Sequence, residues 1–373
     1  MTETNSTHTH GVQPRPVVGR LPKYAAGKPP EGVTGLESFK LSSNENPLGP
    51  VPAVLEVLRN SVDVHRYPDP SSTLLRNALG TFLGVPADDI VTGGGSLGAL
   101  NQILAAFAGQ NDDGTPDEVV YAWRSFEAYP ICVGLAGAKS VQVPVLADGS
   151  HDLPAMAAAV TEHTKVVLLC TPNNPTGTVL RSQETEDFIR QIPSHVVVVV
   201  DEAYQEFVRA DDAVDGVAIY RNHPNVVVLR TFSKAHGLAG LRVGYSVSRP
   251  EITQYLRAAA TPFAVSGIAE QAAVASLEHY GQVVERVQSL VDERSRVVAG
   301  LHALGWDIPD AQGNFVWLAL GANTQGFAAL AQSHALSVRA FGDEGVRVSI
   351  GEAEANTRFL EICAAYTKEP RGS

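Results

Sequence analysis

The chain has 373 residues, 44% of them hydrophobic and 18% charged, with a formal net charge of −12 at neutral pH. That length exceeds what one hydrophobic core usually serves, so two domains are expected, in the composition range of soluble globular proteins. The acidic balance argues against a broad basic face for nucleic acid, and no apolar run reaches the ~18 residues that a membrane span requires.

Residues 1–20 open with MTETNSTHTH, a polar stretch with no apolar core. It reads as a disordered tail and not as a secretory signal, and His8 and His10 belong to that tail rather than to a metal site. Residues 21–50 are rich in proline and glycine and read as an extended arm with turns. A short helix over 51–60 opens a large domain that spans 51–255. A strand at 90–92 runs through Gly93-Gly94-Gly95 into a helix over 96–107. Apolar strands then alternate with helical stretches, at 119–121, 140–143, 166–170, 196–200, 226–229 and 242–247. The five valines at 196–200 show no polar alternation, as expected of strands buried on both faces of a mainly parallel sheet. The architecture is α/β.

From 256 to 373 the pattern changes to a smaller α+β domain, which the N-terminal arm is expected to join. It reads as a long helical region over 266–304, strand-like pieces at 315–320, 337–339 and 346–350, and a closing helix over 354–366. Cys132, Cys170 and Cys363 are odd in number and lack paired or metal-ligand spacing. They read as reduced thiols of a cytoplasmic protein, with no metal site.

Lys234 stands in Thr231-Phe232-Ser233-Lys234, directly after the strand at 226–229, with Arg242 eight residues further on. A lysine at a strand end in a cleft can lose its proton and form a Schiff base with an aldehyde. A lone lysine is ordinarily a solvated surface residue. Three further motifs change that balance: Gly93-Gly94-Gly95, Asn173-Asn174-Pro175-Thr176-Gly177 and Asp201-Glu202-Ala203-Tyr204. Taken singly, each has an ordinary reading as a tight turn or an acidic helix start. Together they fall at the carboxyl ends of neighbouring strands, where open α/β sheets bind ligands.

The set fits a pyridine aldehyde that carries a phosphate. Gly95 and Ser96 offer the free N–H groups of a helix start to the phosphate. Ser233 adds a hydroxyl and Arg242 a permanent cation. Asp201 pairs with the ring nitrogen and keeps it protonated. Asn174 and Tyr204 donate to the ring hydroxyl. Lys234 holds the aldehyde and, once displaced by a substrate amine, moves a proton as general acid and base.

In these motifs the chain resembles the class I/II aminotransferases of fold type I, which depend on pyridoxal 5'-phosphate (PLP). The resemblance runs from Leu41-Ser42-Ser43-Asn44-Glu45-Asn46-Pro47 to Val346-Arg347-Val348-Ser349, nearly the whole chain. The branch is that of the histidinol-phosphate aminotransferases and the actinobacterial aromatic (phenylalanine) aminotransferases. The resemblance implies a large domain built on a sheet of the seven-stranded type. It also implies a homodimer with shared active sites, in which Tyr67, from Arg66-Tyr67-Pro68-Asp69-Pro70, reaches the cofactor phosphate of the other subunit. Phe126 would stack on the cofactor and Arg347 would clamp the substrate α-carboxylate. Tyr24 and Asn44 would line the substrate entrance. Arg339 matches the arginine that histidinol-phosphate enzymes place on the substrate phosphate, and the aromatic branch keeps it too.

Two features favour an aromatic substrate. The segment from Trp123 to Pro130 resembles the aromatic branch, whereas histidinol-phosphate enzymes more often carry tyrosine at the Phe126 position. Leu97-Gly98 also stand where those enzymes typically have an Asp-Glu pair. The resemblance therefore implies transamination of phenylalanine or tyrosine with glutamate and 2-oxoglutarate as the second pair, in ping-pong order. The alternatives are a histidinol-phosphate aminotransferase and a PLP lyase or decarboxylase of the same fold. A PLP-sensing regulator is opposed by the segment before Leu41, too short and too rich in proline and glycine for a DNA-binding module.

Overall fold

The unbroken valine runs form the centre of the main sheet in a computed structural model, which describes residues 15–22, 24, 27, 29–30, 32–61 and 64–366. The strands in chain order are β1 (Phe39–Lys40), β2 (Ile90–Gly93), β3 (Glu118–Trp123), β4 (Lys139–Pro144), β5 (Thr164–Cys170) and β6 (Val197–Asp201). They continue with β7 (Val226–Thr231), β8 (Gly244–Ser248), β9 (Phe315–Ala319), β10 (Leu336–Ser337), β11 (Arg339–Phe341) and β12 (Gly345–Ser349). Seven of them form one sheet in the order β2-β8-β7-β6-β5-β3-β4. Only β8 runs against its neighbours. The fold is α/β.

Alternate residues of each central strand enter separate cores. Val198, Val200 and Val228 pack with Phe188, Ile189 and Tyr220 on one face. Val197, Val199 and Val227 pack with Leu100, Ile103 and Val133 on the other. Both faces are thus covered by helices, which is why these strands carry no polar alternation. Burying one such side chain is worth roughly 1.5–3 kcal/mol, so the sheet is the rigid part of the molecule.

The C-terminal region builds a three-stranded sheet in the order β11-β12-β9, backed by the helices Tyr280–Ala303, Thr324–Ser333 and Ala353–Tyr366. Trp306, Phe327, Phe359 and Tyr366 form its aromatic centre. From the N-terminal arm, β1 pairs in parallel with β10, matching Phe39 with Leu336 and Lys40 with Ser337.

Several expected boundaries shift, each for a local reason. The strand expected at 242–247 begins only at Gly244, because Arg242 adopts φ +55°, a left-handed conformation that a strand cannot hold. The helical region expected over 266–304 is two helices, Gly267–Glu278 and Tyr280–Ala303, separated at His279. The piece expected at 337–339 divides between two sheets, with Ser337 closing β10 and Arg339 opening β11. The helix Tyr129–Ala136 gave no periodic signal, since its eight residues YPICVGLA have no polar face.

Val18–Arg20 forms a 3-10 turn within the segment read as a tail. His8 and His10 lie outside the described residues. Among the described residues, no helix is long and apolar enough to cross a membrane, and no group of His, Cys, Asp and Glu is placed to hold a metal. Cys132, Cys170 and Cys363 are free and buried.

Candidate active site

Strand register brings the sequence motifs to one edge of the main sheet. Cys170 pairs with Asp201, and Asp201 with Leu229. Gly244 is matched to both Thr231 and Gly93. The carboxyl ends of β2, β5, β6 and β7 therefore stand side by side. A cavity of about 340 Å³ lies over them, lined by Ser96, Phe126, Asn174, Asp201, Tyr204, Ser233, Lys234 and Arg242 from the sheet side. Arg339 and Arg347 line it from the C-terminal sheet and Tyr24 from the arm. Two larger clefts, of about 1370 and 650 Å³, contain none of these residues.

Lys234 follows β7 by three residues and is half-buried. Its Nζ donates to the Ser43 carbonyl at 3.1 Å and stands 5.6 Å from the centre of the Tyr204 ring. Withdrawal from water, and then the nearby Arg347 and Arg242 cations, push its ammonium down to about 7. A substantial fraction of the side chain is therefore the neutral amine at neutral pH, the form that attacks a carbonyl.

Asp201 ends β6 and is buried. The Tyr129 hydroxyl donates to its Oδ2 at 2.7 Å, while its Oδ1 has no partner. Burial pushes the carboxyl up to about 6. An unpartnered buried carboxylate oxygen costs free energy, and a protonated ring nitrogen placed against it removes that cost.

The anion cradle is built around one guanidinium. Arg242 donates to Ser233 Oγ at 3.2 Å, to the Ala239 carbonyl at 3.0 Å and to the Gly94 carbonyl at 3.3 Å. Gly95 has φ +77°, a left-handed conformation that favours glycine, and a Cβ there would press on the Arg242 guanidinium. The helix Gly95–Phe107 starts at this point, and its first N–H groups have no partner within the helix. Hydroxyl, guanidinium and helix start together can bind an anion.

Arg347 lies on β12, buried between the two sheets. Its Nη2 donates to the Ser42 carbonyl at 2.8 Å, and its Nη1 donates to Asn174 Oδ1. Its Nε is buried without a partner, and Phe315 and Phe341 each lie 5.6 Å from its guanidinium carbon. A buried cation with an unused donor is poised for a carboxylate. Arg347→Gln is expected to raise KM for amino acids by about 10- to 100-fold, the loss of one charge-assisted contact, with a smaller change in kcat. Steady-state kinetics checks this. An unchanged KM would remove Arg347 from the binding site.

The remaining residues named from sequence fall in different places. Phe126 lines the cavity and packs edge-on against Tyr129 at 5.6 Å between centroids. Arg339 donates to Glu127 from Nε at 3.2 Å and from Nη2 at 2.6 Å. Tyr24 is exposed but borders the cavity. Asn44 does not line the entrance: it is 0% exposed. Its amide donates to the Tyr204 hydroxyl at 3.0 Å, while Ser349 holds its backbone and its Oδ1 at 2.8 and 2.9 Å. It orients Tyr204 from behind. Tyr67 is 84% exposed and stands apart from the cavity, its ring tilted by 30° against that of Phe263 at 4.8 Å between centroids.

Two residues of the site gave no signal of their own in the sequence. Tyr129 supports Asp201 from the helix after β3, and Glu127 engages Arg339. Both lie within three residues of Phe126, which was the available pointer.

The residues present fit PLP on the observations that count: an aldehyde-reactive lysine, an orphaned carboxylate oxygen across from it and an anion cradle beside both. The sequence profile described as Aminotransferase class I and II matches residues 37–366. The chain belongs to that family. An aminotransferase exchanges an amino group between an amino acid and a 2-oxo acid. A Streptomyces avermitilis protein described as an aromatic amino acid aminotransferase is 51% identical over 350 residues, covering 94% of this chain and 96% of its own. A Thermobifida fusca protein of the same description is 48% identical, covering 95% and 97%. The solved structure of histidinol-phosphate aminotransferase from Sinorhizobium meliloti in complex with pyridoxal-5'-phosphate superposes with a TM-score of 0.83. That pair shares 26% identity and covers 96% and 97% of the respective chains. The molecule is a fold type I aminotransferase.

Proposed function

We propose that this aminotransferase uses PLP to move the amino group of phenylalanine or tyrosine to 2-oxoglutarate, and back from glutamate. The observation that carries the reading is the pair of buried orphan atoms, Asp201 Oδ1 and Arg347 Nε, on residues that line one cavity with Lys234. A pyridine nitrogen would satisfy the first and an α-carboxylate the second. When bound, PLP supplies an electron sink conjugated with the substrate Cα. Asp201 Oδ1 would accept from its ring nitrogen, and Asn174 and Tyr204 would serve its ring hydroxyl. Ser96, Ser233, Arg242 and the Gly95 helix start would hold its phosphate. Phe126 would pack on its ring. Arg347 would hold the α-carboxylate, and Lys234 Nζ, which lines the same cavity, would take the proton from Cα.

The aromatic preference is supported by relatives that are 42–51% identical and described as aromatic amino acid aminotransferases. It is supported also by the Phe126, Phe341 and Tyr24 side chains in the cavity wall. Histidinol phosphate is the second reading, favoured by Arg339 in the same wall, but that guanidinium is engaged by Glu127. The test is product analysis on PLP-loaded protein with L-phenylalanine and 2-oxoglutarate. Phenylpyruvate and glutamate should appear in equal amounts. Release of carbon dioxide or ammonia would point instead to a decarboxylase or lyase.

The proposal includes a homodimer in which Tyr67 reaches the cofactor phosphate of the other subunit. Tyr67 and its partially exposed neighbour Phe263 form an aromatic patch open to solvent, as an interface residue pair would be before assembly. Sedimentation should therefore give twice the chain mass, and a monomer with full activity would contradict the assignment. The division into an arm at 21–50, a large domain at 51–255 and a small domain at 256–373 is supported by the β1–β10 pairing. Free buried cysteines suit a reducing cytoplasm.

A further inference from the structure

Arg339 and Arg347 face each other directly across the β11–β12 pair. Their guanidinium carbons lie 5.2 and 5.6 Å from the same ring, that of Phe341. Two like charges at directly opposed positions repel. One carboxylate resolves this arrangement: Glu127 Oε2 accepts from both Arg339 Nε and Arg339 Nη2. The two side chains of this pair are largely withdrawn from water, at 13% and 25% exposure. Arg347 is committed to the substrate α-carboxylate under the function proposed above. The charge that meets the substrate side chain is then set by the Arg339–Glu127 pair.

We infer that Glu127 is a specificity-determining residue. By holding Arg339 in an ion pair, it offsets that charge at the side-chain end of the cavity, which favours an uncharged aromatic side chain, while an anionic one, that of the second substrate glutamate included, has to compete with Glu127 for Arg339. A side-chain carboxylate that takes the Nε–Nη2 edge of Arg339 must displace Glu127 and leave it unpaired in a partly dry site, which is costly. An aromatic side chain placed against Phe341 and the intact pair breaks nothing. The rule at work is rejection by an occupied partner rather than attraction by a new one.

The inference rests on the aromatic reading for its neutral substrate. The test compares wild type, Glu127→Gln and the Glu127→Gln/Arg339→Gln double variant. Each is assayed with L-phenylalanine, L-glutamate and L-aspartate as amino donors. Glutamine keeps the shape and removes the charge. In the single variant, the ratio of kcat/KM for either anionic donor to that for phenylalanine should rise about 10- to 100-fold, the worth of one freed charge-assisted contact, through KM. The double variant should lose that gain. Calorimetry with the unreactive ligands glutarate and 3-phenylpropionate should show the same swing in affinity without any turnover. A ratio that stays within twofold overturns the inference, as does a parallel fall in kcat for all three donors. Wild type that fails to turn over phenylalanine would sink the aromatic reading instead, so the two failures are distinguishable.

Discussion

Lys234→Ala is expected to lose transamination by about 10,000-fold, the upper range for removing a positioned proton-transfer group. It should still take up PLP, because Asp201, Ser233 and Arg242 remain. The side chain has two tasks, attack on the aldehyde and proton movement at Cα, and among the described residues no other lysine lines the cavity to replace it. The loss should therefore appear in kcat rather than in cofactor affinity alone. Stability gives a second readout with a definite sign. The ammonium sits at about 7 in the folded chain, against 10.5 for a free lysine. Between these values the unfolded chain binds more protons, so the penalty for burying the charge is complete below pH 7 and fades as pH rises. That gap is on the order of a few kcal/mol. Lys234→Ala should thus stabilise the cofactor-free protein at pH 6 and lose that advantage by pH 10. Urea unfolding at both pH values checks it. A pH-independent difference would mean that the lysine is charged and solvated.

Asp201→Asn is expected to lower kcat by about 100- to 1,000-fold, the scale for removing one preorganised electrostatic partner of a reaction centre. The variant keeps the shape of the carboxyl but cannot hold a ring nitrogen in its protonated form. In the cofactor-free protein, burial raises this carboxyl from 3.8 to about 6. The folded chain then binds the extra proton between pH 4 and 6. Its stability must fall as pH rises through that window, since an uncompensated carboxylate forms in a buried place. The amide of the variant has nothing to ionise, so Asp201→Asn should gain relative stability from pH 4 to pH 7. Unfolding curves across this range test the point. Equal slopes for wild type and variant would show that Asp201 is already compensated and would weaken its assignment to the ring nitrogen.

What was legible in the chain was what depends on neighbours in sequence. The valine strands announced themselves because both faces are buried, so that no polar residue interrupts Val197 to Val200. Lys234, Asp201, Asn174 and the Gly95 turn were legible because each sits at the end of such a strand, and register does the rest. What was not legible depends on partners far along the chain. Asn44 is fixed by Ser349, 305 residues away, and that contact turns it from an entrance residue into a support for Tyr204. Glu127 meets Arg339 across 212 residues. The break at His279 between two helices left no proline or glycine at that residue to mark it. The exposed face of Tyr67 is explained by no contact within the chain and would be by the proposed homodimer.

The measurement that bears most directly on the central claim is a single-turnover absorbance experiment on PLP-loaded protein. L-Phenylalanine and L-histidinol phosphate are mixed separately with the protein, and the visible band of the lysine-bound cofactor is followed. The expected result is loss of that band with phenylalanine at a much higher rate, and no band at all to lose in Lys234→Ala. Faster conversion with histidinol phosphate, or a band that survives both donors, would contradict it.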